Sequence, residues 1–117
     1  MNCKNNMVYI EHMLACIDKI YNYTEESKEK FFGSPLIQDA VIRNLQVLAE
    51  SSQRISGDLK DIHTEIAWRD ISGFRNILVH DYLGVDCDTI WSAVEKDLPL
   101  LHQALTKMSK NITGVDV

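Results

Sequence analysis

A chain of 117 residues with 45% hydrophobic and 25% charged side chains is one domain's worth of sequence, able to bury a core without staples and too apolar for disorder. Its formal charge of −5 excludes a protein that coats nucleic acid through a broad basic face, so any such contact has to be local. Cys3, Cys16 and Cys87 form no Cys-x-x-Cys pair and suggest neither a disulfide framework nor a zinc cluster; with no signal peptide or spanning helix near the N-terminus, the cytoplasm is the expected compartment.

Val8, Ile10, Met13, Leu14, Ile17, Ile20 and Tyr21 recur at spacings of three and four, which predicts a first amphipathic helix over 7–23. Thr24-Glu25-Glu26 is expected to open a short second helix, its acidic pair at the N-terminus, that ends at Gly33. Ser34 as cap and Pro35 in the first turn introduce a long third helix to about Arg54, with Leu36, Ile37, Ala40, Val41, Leu45 and Leu48 on its apolar side. Gly57 interrupts, and residues 58–62 read as a single turn.

A further helix starts at Glu65 or Ala67, carries Ile71, Phe74, Ile77 and Leu78, and stops at Gly84. Asp86 or Asp88 caps a last segment with Ile90, Trp91, Val94 and Leu98, which Pro99 kinks or restarts before Leu100, Leu101, Leu105 and Met108. No strand pattern competes, so the expectation is an all-α, antiparallel bundle of four to five helices in one domain spanning 1–117, its core over about 7–110.

The chemistry-bearing residues crowd into Arg75-Asn76-Ile77-Leu78-Val79-His80-Asp81-Tyr82. At about 100° per residue, Tyr82 shares a face with Arg75, whereas His80 stands about 140° from Arg75 and about 40° from Asn76. Arg75 and His80 can meet on one phosphate if the helix distorts at His80, or if a second copy of the segment packs opposite and completes a composite site at a twofold interface.

An arginine fork suits a phosphodiester and the charge that develops on its oxygens. Histidine, as a residue type that titrates near neutrality, can accept the proton of a ribose 2′-OH or return one to the leaving 5′-oxygen. Together they favour RNA, which alone carries the internal nucleophile. The competing account is a helix end where Arg75 pairs with an acidic neighbour, His80 meets the C-terminal dipole and Tyr82 packs its ring.

The run from Ala67-Trp68-Arg69-Asp70 through Arg75, His80 and Tyr82, followed by Gly84-Val85-Asp86, Ile90-Trp91 and Asp97-Leu98-Pro99, resembles the HepT-like toxins of the HEPN superfamily. Arg43-Asn44-Leu45 on the third helix fits the same pattern, and the resemblance covers roughly residues 7 to 110. It implies a HEPN-like helical bundle that dimerises, a metal-independent ribonuclease without cofactor, and an Arg-x4-His-x-Tyr motif falling on Arg75, His80 and Tyr82, with Asn76 a polar helper. It also implies a toxin paired with a nucleotidyltransferase antitoxin for which Tyr82 is the AMP acceptor, as a homodimer open to higher assembly with that antitoxin. Ala67 departs from the proline expected in many relatives.

A second function class competes: a non-catalytic helical subunit that binds a nucleotidyltransferase or a nucleotide through the same segment. Elsewhere the sequence favours plain roles. His12 and Cys16 lie four apart without a third ligand, His63 and His102 stand alone and read as solvated or capping residues, and Trp68 and Trp91 read as core or interface anchors. The charge run from Glu25 to Lys30 reads as a solvated face, with an acidic docking patch for the antitoxin as the minority alternative.

Overall fold

The computed structural model describes residues 3–80 and 85–113. Its elements in chain order are α1 (Cys3–Thr24), α2 (Lys28–Phe32), α3 (Pro35–Gln53), α4 (Gly57–Ile62), α5 (Trp68–His80), α6 (Cys87–Ser92) and α7 (Leu98–Thr113), with a π-helical turn, Ala93–Asp97, joining α6 to α7. No strand occurs among the described residues. The four long helices make the expected all-α bundle: α1 packs on both α3 and α7, and α3 carries α5 on its other side.

One continuous core explains the arrangement. Ile10, Met13, Ile17 and Ile20 from α1 meet Val41, Leu45 and Leu48 from α3, Leu78 from α5, and Leu105 and Met108 from α7. Phe31 on α2 and Trp91 on α6 close one end, their rings stacked with centroids 5.3 Å apart. This burial removes from water the helix stripes that the threefold and fourfold spacing marks, which is the main drive for helices this short to form.

Several boundaries differ from the sequence expectation. Glu25 and Glu26 do not start a helix: they form a left-handed turn with φ of 51° and 57°. The turn is held by the Thr24 hydroxyl, which donates to the Ile20 carbonyl at 2.9 Å and accepts from the Glu26 N–H at 3.3 Å. Ser27 is the true cap of α2, accepting from Lys30 N–H, and the acidic pair serves the surface, where Glu25 pairs with Lys30.

Ser34 and Pro35 begin α3 as expected, but Leu36 lies 80% exposed because the inward stripe starts at Ile37. Gly57 interrupts nothing; it is the first residue of α4, behind the cap of Ser56. Asp86, rather than Asp88, caps α6. Pro99 is the second residue of α7, where the α-helix resumes after the π-helical turn, in line with the expected restart. The preceding turn widens to a π-helix, with Leu98 N–H donating to the Ala93 carbonyl, directly before a residue that has no N–H to give.

Candidate active site

The helix that carries the motif, α5, is fixed at three points. At its start the Trp68 indole N–H donates to the His63 carbonyl at 3.0 Å, and the Lys60 ammonium lies 5.4 Å from the centre of the Trp68 ring. In its first half the Gln53 side-chain amide donates to the Ser72 hydroxyl at 3.1 Å. Near its end the Gln46 amide donates to the Leu78 carbonyl, also at 3.1 Å, while the Leu78 side chain is wholly buried.

Ile71, Phe74 and Leu78 therefore face α3 and the core. Arg75 stands at the margin of that face, about 60° from Leu78 around the helix. It is half-buried; its Nε is shielded from solvent with no hydrogen-bond partner among the described residues, and its Nη1 donates to Asn76 Oδ1 at 3.4 Å. A shielded guanidinium N–H left without an acceptor is costly, and a phosphate oxygen is the kind of group that would satisfy it.

Asn76 and His80 are exposed, and His80 ends α5. The helix stays regular through His80, so the distortion that would bring Arg75 and His80 together within one chain does not occur up to that residue. The pair remains about 140° apart. Tyr82, expected beside Arg75, and Gly84, expected to end the helix, lie outside the described residues, as does Asp81.

Ile77 is corrected: the sequence pattern counts it with the apolar face, yet it is 47% exposed, and its neighbour Val79 is 39% exposed. Arg69, Gly73, Asn76, Ile77 and His80 share about 100° of helix surface turned away from the core. A Cβ added at Gly73 would meet nothing within 4 Å, so this strip is smooth at its centre. Small, apolar and polar residues in such a strip suit close approach of a second helix.

Gln46 and Gln53 were invisible as site residues in the sequence. Each is a polar residue on α3 whose role depends on a partner 32 or 19 positions away. Among the other histidines, His63 is buried rather than solvated and sits at the C-cap of α4, as the capping alternative expects, its Nδ1 lying 3.5 Å from Glu65 Oε2. His102 is half-exposed beside Asp18 at 3.7 Å. His12 is exposed and packs edge-on to Tyr9, whereas Cys16 is buried and desolvation raises its thiol pKa. Trp91 lies in the core and Trp68 is half-buried, in line with anchoring roles. No helix among the described residues is long and apolar enough to cross a membrane.

Comparison with known proteins agrees with the architecture. The family described as "Ribonuclease HepT-like" matches residues 13–108. A Methanocaldococcus jannaschii protein named "Gamma-glutamylcyclotransferase and putative RNase MJ0434" is 32% identical over 110 residues, covering 93% of this chain and 50% of that protein. The chain thus spans half the length of that relative. A Thermococcus cleftensis protein named "Probable ribonuclease HepT" is 37% identical over 103 residues, covering 87% of this chain and 94% of the relative. A second Methanocaldococcus jannaschii protein, "Putative RNase MJ1216", is 30% identical over 109 residues, covering 92% and 90% of the two chains. No solved structure gives a significant match. With most of its length matched by the family and by a relative of nearly the same size, this chain belongs to the HepT-like ribonuclease family.

Proposed function

We propose that the chain is an endoribonuclease that cleaves RNA without a metal ion, acting as the toxin of a toxin–antitoxin pair. The observation that carries this is the placement of Arg75, its shielded Nε without an acceptor among the described residues, on a family-matched helix whose last described residue is an exposed His80. The Arg75 fork binds the scissile phosphate and stabilises the charge that builds on its oxygens, with Asn76 steadying the guanidinium.

His80 moves the protons. One imidazole takes the proton of the ribose 2′-OH as the 2′-oxygen attacks phosphorus; a protonated imidazole gives a proton to the departing 5′-oxygen. The products are a 2′,3′-cyclic phosphate and a free 5′-hydroxyl. Because Arg75 and His80 diverge on a regular helix, the site is completed by a second copy whose α5 packs against the exposed strip around Gly73 and Ile77. A homodimer supplies two imidazoles, one for each transfer.

Regulation falls on Tyr82. A cognate nucleotidyltransferase antitoxin transfers AMP from ATP to the tyrosine hydroxyl oxygen, releasing pyrophosphate. The added phosphate engages Arg75 and repels incoming RNA. The test uses a short RNA and the same oligonucleotide with 2′-O-methyl riboses. Cleavage of the first alone by unmodified protein, abolished once Tyr82 carries AMP, is expected; cleavage of the 2′-O-methyl strand, or full activity of the modified protein, overturns the mechanism or its control respectively.

A further inference from the structure

Because α5 rests on α3 and α7 rests on α1, with no extensive packing between α5 and the α6–α7 rod, a groove of about 740 Å³ opens between them. Its floor and walls are apolar, formed by Leu45, Ile71, Phe74 and Leu101. Leu100 stands at its mouth, 68% exposed. Around the apolar floor lie five carboxylates, Glu65, Asp70, Asp86, Asp88 and Asp97, and among the described residues no lysine or arginine lines it. Glu65 is partly answered by His63 and by the field of Lys107. Asp70, Asp88 and Asp97 have no ion-pair partner among the described residues.

We propose that this groove docks an amphipathic, basic helix of a partner protein, its apolar residues in the groove and its lysines or arginines against the acidic rim. The charge pattern selects this occupant. A second copy of the chain carries a net charge of −5 and would bring like charge to the rim. A small cation answers one or two carboxylates, whereas the rim draws on the approach to α5, on α5 itself, on α6 and on the π-helical turn. Several positive charges arrayed around an apolar stripe are what a basic amphipathic helix presents. Phe74 on the groove wall directly precedes Arg75, so an occupant touches the helix that carries the motif about 100° around from Arg75. Docking here is independent of whether the chain cuts RNA.

The probe is a synthetic peptide of about four helical turns with leucines at i, i+3, i+4 and i+7 and lysines elsewhere. A control peptide has every lysine replaced by glutamate. Amide shifts of the full isotope-labelled chain are followed by NMR on titration. The expected result is a set of shifts confined to groove residues such as Ile71, Thr89 and Ala104, no response to the glutamate peptide, and affinity at least about tenfold weaker in an Asp70→Lys, Asp88→Lys double variant. Both aspartates are exposed, so the variant keeps its fold, which its own spectrum checks. Shifts centred on Glu25–Lys30, equal binding of the glutamate peptide, undiminished affinity in the variant, or a second copy already covering the groove in the free protein would each overturn the assignment.

Discussion

The Gln46 side-chain amide on α3 donates to the backbone carbonyl of Leu78 at 3.1 Å, and Leu78 itself is completely buried, so the stretch of α5 between Arg75 and His80 is tied to the core by both backbone and side chain. A catalytic constellation on a helix is only as well placed as the groups that hold that helix. Replacing Gln46 by alanine removes this tie. The expected cost is about 1 kcal/mol of stability, read as a lower urea midpoint, with a larger proportional loss in RNA cleavage than Gln53→Ala produces. Equal activity losses in the two variants would show that the tie near Leu78 has no special bearing on the site.

Leu78→Ala tests the packing half of the same anchor. Deleting a fully buried leucine side chain is expected to destabilise the fold by about 2–5 kcal/mol, with an unchanged dependence on denaturant. The measurement is equilibrium unfolding in urea. A cost below about 1 kcal/mol would mean that the end of α5 is poorly coupled to the bundle.

Ile77 lies on the exposed side of α5 and contributes little to the core of one chain. Ile77→Asp should therefore leave the helical signal of the folded chain intact while converting a dimer to a monomer in light scattering, and cleavage should fall with dimer content. A dimeric Ile77→Asp protein, or a fully active monomer, would contradict a site completed across this strip.

Asp86 contributes to the acid limb of stability, beside Glu65, whose carboxyl is also held low by its backbone hydrogen bond and by His63. Its carboxylate accepts from the Thr89 N–H at 2.7 Å at the start of α6, and this backbone hydrogen bond, with help from the Thr89 side chain, holds the carboxyl below the ordinary carboxylate range. A depressed folded-state pKa gives stability that is present above the unfolded value and lost as the pH falls through the folded value. Asparagine keeps a capping oxygen without the charge. Asp86→Asn should match the parent more closely at low pH than at neutrality, so its stability curve is flatter on acidification below about pH 4. Parallel curves for the two proteins would show that the Asp86 charge contributes nothing to the acid limb.

The bundle was legible because the apolar spacing of α1, α3 and α7 records burial directly: Ile10, Met13 and Ile17 are inward both in the pattern and in the fold. Caps with short side chains were legible too, since Ser34 and Asp86 act on N–H groups three residues away. Glu25 and Glu26 misled because acidic residues suit a helix start and also a solvated turn, and what decides between them is the Thr24 hydroxyl bound back to Ile20. Ile77 misled because an apolar residue on a half-exposed helix has the same letter whether it meets the core or a partner. The motif residues Arg75, Asn76 and His80 were named by their chemistry, but the ties from Gln46 and Gln53 depend on tertiary proximity that no local pattern encodes.

Under the proposed mechanism, Arg75 and His80 cut RNA by proton transfer and phosphate binding alone. Purified chain and its His80→Ala variant are incubated with total cellular RNA in excess chelator, and the fragment ends are analysed. Cleavage by the parent that persists in chelator, leaves 2′,3′-cyclic phosphates and vanishes in the variant is the predicted result; no cleavage by unmodified, dimeric protein would contradict it and make the chain a helical binding subunit.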